Sequence, residues 1–303
     1  MTRASRIADP IEIGKVAEPP PMLLPDPMTV FACRAERFAD LAFGNPMADF
    51  LSFMAEIARA QTAALGVLAV AIPPETCSSW ETPPLDRSKW RPDPSWRHAL
   101  AVILDRLDAA ALTAETRSAI ERLAGQSSDA LDALAEKAVR FENGEAEPAE
   151  AYLAFAALQV YWTRMAGDLM QPGGNDAMDR VGACPACGSP PIVSLVHSTG
   201  SLAGSRFLVC SLCATQWHLV RIKCANCHST KGIAYLEIER AGGSVKAETC
   251  DECRTYTKII YTEKAPGADA FADDLASLGL DLLVDEAGWH RAAPNPFLLP
   301  GAS

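Results

Sequence analysis

Residues 184–253 read CPACGSPPIVSLVHSTGSLAGSRFLVCSLCATQWHLVRIKCANCHSTKGIAYLEIERAGGSVKAETCDEC, and the four C-x-x-C pairs in this stretch decide the fold. The pairs are Cys184/Cys187, Cys210/Cys213, Cys224/Cys227 and Cys250/Cys253, which together are eight of the chain's ten cysteines. Adding 40 to each of the first four positions gives the second four, so the stretch is an internal duplication. Ser189/Ser229 and Thr215/Thr255 match at the same offset.

A tetrahedral metal site needs four thiolates at one point. One C-x-x-C turn supplies two sulfurs and a second closes the set. Gly188, directly after Cys187, suits the sharp turn. Between the pairs the sequence reads as strands: Ile192–Val196 and Arg206–Val209 in the first copy, Gly232–Ile238 and Ser244–Ala247 in the second. Gly200, Gly204, Gly242 and Gly243 supply the turns. Each copy is therefore expected to be a hairpin with a cysteine knuckle at each end, the zinc-ribbon or rubredoxin plan. One metal is expected at Cys184, Cys187, Cys210 and Cys213, the other at Cys224, Cys227, Cys250 and Cys253. The alternative pairing crosses the copies and joins Cys184/Cys187 to Cys250/Cys253. A tetrahedron of four sulfurs suits zinc and iron alike, so spacing leaves both open.

Rival chemistries fit less well. Cys224-Ala225-Asn226-Cys227-His228 matches the C-x-x-C-H signature of haem attachment. The equivalent of His228 is Gly188, however, and haem would strand Cys250 and Cys253. A thioredoxin-like motif needs one reactive cysteine at a helix N-terminus, not four duplicated pairs. Structural disulfides do not suit a reducing compartment, and the N-terminus shows no apolar export segment, so the expected location is the cytoplasm. His197, His218 and His228 lie near the cysteines without being needed as ligands, and Trp217 and His218 read as packing between the copies in preference to an exposed recognition patch. Cys33 and Cys77 read as small apolar fillers. No phosphate-binding loop, dinucleotide fingerprint or hydrolase motif is present, and both expected sites are coordinatively closed.

The chain as a whole is a soluble globular sequence of 303 residues with 49% apolar and 21% charged residues. Its longest apolar run, Ala63 to Ile72, is too short to span a membrane. Net charge is −11, and residues 181–265 carry 9 basic against 6 acidic side chains before any thiolate is counted. That small excess argues against a nucleic-acid partner.

Six prolines in residues 1–30 mark an extended arm. Helical periodicity follows from about Met28 to Leu169. Expected N-caps are Asn45 (with Pro46 at the first helical position), Ser95, Thr113 and Ser128. Pro73-Pro74 ends one helix, residues 73–94 form a long loop, and Asn143-Gly144 ends another helix. A helix over Pro148–Leu169 carries Tyr152, Phe155, Trp162, Met165 and Leu169 as a core stripe. Pro172-Gly173-Gly174-Asn175 is the expected domain boundary. Two short strand-like runs at most follow Cys253. One amphipathic helix is expected over Ala268–Glu286, and the tail Pro294–Pro300 lies extended on the body.

Residues outside the cysteines resemble the formate dehydrogenase accessory protein family, FdhE. They are Arg206–His218 continuing through Val220–Cys224, Lys246–Cys253, Ala272–Ser277, Asn295–Leu298, Arg37–Ala39 and the Asn45–Gln61 segment. Gln216, where the family pattern has glutamate, and His228, where it commonly has glycine, are departures. The resemblance implies a non-catalytic cytoplasmic factor that engages the catalytic subunit of formate dehydrogenase during maturation. It also implies two iron ions in the four-cysteine sites, with zinc as the alternative. Readings of other classes are a zinc-ribbon nucleic-acid binder and a rubredoxin-like electron-transfer protein.

The expected fold class is α+β. A Pro-rich arm spans 1–30 and an all-α helical domain 31–175. Rubredoxin-like or zinc-ribbon modules span 181–222 and 223–264, and a C-terminal helix and tail span 265–303.

Overall fold

A computed structural model describes residues 19–70, 80, 82–107, 112–142, 148–170, 182–239 and 242–298. Pro73-Pro74, Cys77, Asn143-Gly144 and the boundary at 172–175 lie outside the described residues. Among those described, a helical region precedes a sheet region, as the α+β reading requires.

The helices are α1 (Val30–Ala42), α2 (Ala48–Val67), α3 (Pro94–Arg106), α4 (Ala114–Gly125), α5 (Ser128–Arg140) and α6 (Pro148–Gly167). Helix α6 is the axis of this region. Its sequence is apolar all round rather than on the single stripe expected, and it is buried on every face. Helices α2, α3, α4 and α5 pack around it. None of the described helices is long and apolar enough to cross a membrane.

Several helix starts differ from expectation by one or two residues. Thr113 caps α4 as expected, its side chain accepting the Thr116 N–H. Helix α3 is capped by Asp93, not Ser95: Pro94 takes the first helical position and Asp93 accepts the Ser95 N–H. Ser127, not Ser128, caps α5. Helix α2 starts at Ala48, because Asn45 Oδ1 accepts the Met47 N–H and closes a turn ahead of the helix. Helix α5 stops at Arg140, where Phe141 takes the left-handed conformation (φ 56°).

All eight strands of the described residues form one sheet, in the order β1-β4-β3-β2-β7-β6-β5 with β8 also on β7. They are β1 (Met22–Leu23), β2 (Pro191–Val196), β3 (Arg206–Cys210), β4 (Gln216–His218), β5 (Ile233–Leu236), β6 (Val245–Cys250), β7 (Thr255–Tyr261) and β8 (His290–Arg291). The four expected strands are present as β2, β3, β5 and β6. Each copy, however, is a three-stranded antiparallel meander rather than a hairpin, with β4 and β7 as the third strands. The copies join through parallel pairing of β2 with β7, Ser194 opposite Ile259. The other edge of the first copy, β4, is covered by β1 from the N-terminal arm, Met22 opposite Trp217. Met22 is fully buried, so the arm is stitched into the sheet rather than laid over it.

The C-terminal helix is two helices, α7 (Ala270–Ala276) and α8 (Leu278–Glu286). Lys258 on β7 causes the break. Its Nζ donates to the carbonyls of Asp274 and Ser277, while Ser277 Oγ donates to the Asp273 and Asp274 carbonyls. Acceptors that a continuous helix would use are thus taken. Helix α7 docks on α1 through ion pairs of Arg34 with Asp269 (3.1 Å) and Arg37 with Asp273 (2.6 Å). The described part of the tail, as far as Leu298, lies on the body as expected. Asn295 Nδ2 donates to Asp274, and buried Phe297 packs edge-on against Phe155 and Phe271.

One apolar core runs from α1, α2 and α6 through β2, β3 and β4 of the first copy. The second copy has a small separate core of Ala247 and Tyr256 with Leu280 and Val284 of α8.

Candidate metal centres

The sheet brings the eight cysteines into two groups of four, and each group belongs to one copy. Cys184, Cys187, Cys210 and Cys213 have all four Sγ atoms within 4.8 Å of one another, as do Cys224, Cys227, Cys250 and Cys253. The crossed pairing is not formed. In each copy one knuckle precedes the first strand and the other connects the second strand to the third. An antiparallel meander therefore returns the two knuckles to the same end of the sheet.

The spacing fits a tetrahedral ion. A metal–sulfur bond of about 2.3 Å requires tetrahedron edges of about 3.8 Å. The close sulfur pairs are Cys184–Cys213 at 3.6 Å, Cys187–Cys210 at 3.4 Å, Cys224–Cys253 at 3.7 Å and Cys227–Cys250 at 3.6 Å. All eight are free thiols, so these are non-bonded contacts. Backbone N–H groups aim at sulfur as thiolate ligands require. Leu212 and Cys213 donate to Cys210 Sγ, and Asn226 and Cys227 donate to Cys224 Sγ, each at 3.4 Å.

The knuckle backbone is the same four times. The residue after each second cysteine is left-handed: Gly188 (φ 76°), Ala214 (58°), His228 (60°) and Arg254 (56°). Two residues ahead of each copy the pattern recurs, with Gly182 at 63° and Ile222 at 60°. Left-handed φ is free for glycine but costs other residues about 1–2 kcal/mol, and a β-branched residue is rarer still there. The sequence signalled this conformation only at the glycines. Ala214, His228, Arg254 and Ile222 adopt it because the ligand turn dictates it.

Electrostatics favour deprotonation of all four thiols of a group only when a cation compensates. Burial pushes the Cys184 and Cys210 thiols well above their ordinary value. At Cys187 burial also opposes charge, but hydrogen bonds from Cys184, Cys210 and Cys213 outweigh it and hold that thiol well below. In the second group, burial raises Cys224 to about 12 and also raises Cys250. Cys253 goes down to about 7, because hydrogen bonds from the Thr255 side chain and backbone outweigh burial. Four clustered thiols cannot all ionise alone, and a divalent ion held there would supply the missing charge.

Thr215 and Thr255 were visible in the sequence only as marks of the duplication. Their Oγ1 atoms lie 3.2 Å from Cys213 Sγ and 3.1 Å from Cys253 Sγ, so they are sulfur partners. The histidines stay out of both ligand groups. His197 Nε2 lies 3.0 Å from Gln216 Oε1, and His197 and His218 each meet the Phe207 ring edge-on. Trp217 is buried on β4. Cys33 is exposed on α1 and is not a core filler.

Comparison with known proteins covers nearly the whole chain. Residues 19–175 match the family model "FdhE, N-terminal", residues 183–221 "FdhE, central domain" and residues 222–298 "FdhE, C-terminal domain". The chain is 38% identical over 293 residues to the "Protein FdhE homolog" of Edwardsiella ictaluri, covering 95% of this chain and 94% of the relative. It is 36% identical over 286 residues to "Protein FdhE" of Escherichia coli, covering 93% and 92%. The crystal structure of the FdhE protein from Pseudomonas aeruginosa superposes with a TM-score of 0.84 at 35% identity, over 93% of this chain and all of that one.

Proposed function

The chain belongs to the FdhE family of formate dehydrogenase accessory proteins, and on that premise we propose that it is a non-catalytic maturation factor that binds the enzyme's catalytic subunit in the cytoplasm. In this reading the eight cysteines hold two metal ions, iron in the first instance and zinc as the alternative. The observation that carries it is the pair of four-cysteine groups at tetrahedral spacing inside a near full-length family match. Four thiolates fill a tetrahedron, so neither site offers a position for a substrate or a reactive water. Such sites fix shape or, with iron, exchange electrons. This chain's residues would supply the sulfurs, the N–H groups that hold them and the surface that meets the client.

The test is complementation in a host whose own accessory protein has been removed. Cells carrying this chain should regain formate oxidation, and the catalytic subunit should co-purify with it without oxygen. Cys210→Ser and Cys250→Ser should lower both. Wild-type activity in cells carrying the doubly substituted chain, or no catalytic subunit in the purified fraction, would overturn the reading.

A further inference from the structure

The two four-cysteine groups share a plan but differ in their surroundings, residue by residue at the 40-residue offset. Cys187 is buried, whereas its equivalent Cys227 is exposed; Cys213 is buried, whereas Cys253 is half-buried. Inside the knuckles the first copy places Ala186 and Leu212, both in the core. The second copy places Asn226 and Glu252 at the same positions, and both are exposed.

The first group is also clamped by the helical region. Leu85 N–H donates to the Ala186 carbonyl (2.8 Å), Arg87 N–H to Cys187 (3.0 Å) and Arg87 Nε to Gly188 (3.2 Å). On the other side Gln159 of α6 donates to the Ser211 carbonyl (2.9 Å). Opening that group means parting α6 and the 82–93 segment from the sheet, which is a large cooperative event. At the second group Arg254 reaches the Gly288 carbonyl and His290 N–H donates to the Arg254 carbonyl. Neither contact covers Cys227. Ile222 and His228 hold left-handed turns there that the first copy gives to Gly182 and Gly188.

We propose that the second group, Cys224/Cys227/Cys250/Cys253, is an exchangeable metal site, loaded and emptied in the folded protein through Cys227 and Cys253, while the first group releases its ion only slowly, when the helical region parts from the sheet. This rests on the reading that both groups bind metal. The ligand class is a soft or borderline divalent cation, exchanged with small chelators or external thiols. In the exchange a chelator donor takes the place of the Cys227 sulfur, and the freed thiolate accepts a proton from water. No electron moves.

The test uses the full chain loaded with zinc in the absence of oxygen and mixed with an excess of a colorimetric pyridylazo chelator. Release should be biphasic, with one equivalent leaving more than about tenfold faster than the other, since local opening outpaces sub-global opening. Cys227→Ser should remove the fast phase and keep the slow one. Gln159→Ala should speed the slow phase only. A second measurement needs no variant: brief alkylation of the folded zinc-loaded protein, read by peptide mass, should modify Cys227 and Cys253 before Cys184, Cys187, Cys210 and Cys213. Release of both equivalents at one rate, or alkylation of Cys187 as fast as Cys227, would overturn this inference while leaving the metal reading intact. A chain that takes up no zinc would overturn both.

Discussion

Arg206 Nη2 lies 2.7 Å from Glu248 Oε1, and the two side chains are 0% and 2% exposed. Arg206 is on β3 of the first copy and Glu248 on β6 of the second, so the pair ties the copies together beneath the β2–β7 junction. Its remaining hydrogen-bonding groups are used. Arg206 donates to Ser194 Oγ and the Lys223 carbonyl, and Glu248 accepts from Tyr235 at 3.0 Å. Removing one partner leaves a buried charge uncompensated, so Arg206→Met or Glu248→Met alone should cost about 3–5 kcal/mol. The double substitution should cost less than either one. Denaturant titration of the four proteins measures this, and simple additivity of the single losses would count against a coupled pair.

Asp274 should govern acid stability. It is fully buried and accepts from Arg291 Nη2 (2.7 Å) and Asn295 Nδ2 (2.6 Å), with Lys258 Nζ at 3.2 Å. Burial opposes its charge, but Arg291 and Lys258 outweigh burial and hold its carboxyl below the usual value. A depressed folded pKa means the stabilisation is complete above the ordinary aspartate value near about 4 and is lost as pH falls through the lower folded value. Asp274→Asn should therefore lower the melting temperature strongly at neutral pH, and the gap to wild type should narrow below about pH 4. A gap independent of pH would contradict the assignment.

Ile222 and Gly182 allow a reciprocal exchange. Both are left-handed, and Ile222 is largely exposed, so little packing is lost when its side chain is removed. Ile222→Gly should stabilise the chain by about 1 kcal/mol, and Gly182→Ala should destabilise it by a similar amount. Thermal melting of the metal-loaded proteins decides. Destabilisation by Ile222→Gly would mean the isoleucine side chain makes a contact worth more than the strain.

Met22 anchors the N-terminal arm to the sheet. It is fully buried opposite Trp217, and the His218 N–H donates to the Pro21 carbonyl at 2.9 Å. Met22→Ala should cost about 2–5 kcal/mol locally and speed hydrogen exchange at His218. Unchanged exchange there would show that β4 does not depend on the arm.

The two four-cysteine groups were legible because their pattern is sequential: C-x-x-C spacing and a repeat of 40 need no tertiary information. The helical region was legible through periodicity, although caps such as Asp93 depended on which residue proline fixed as the first of the helix. What escaped was set by partners distant in sequence. Gln216–His218 is a strand because β3 and the arm flank it, not because three residues can specify one. The break at Ser277 comes from Lys258, which reaches in from β7. The unequal burial of Cys187 and Cys227 comes from α6 and the 82–93 segment covering one copy only. Ala186 and Leu212 against Asn226 and Glu252 were the available hint.

The central claim is that each copy holds one metal ion through its own four cysteines. Metal content per chain, measured with the absorption spectrum after purification without oxygen, tests it most directly. The prediction is two ions per chain in the wild type, one in Cys210→Ser and one in Cys250→Ser, with sulfur-to-iron absorption bands if the ions are iron. An unchanged metal content in both variants would contradict it.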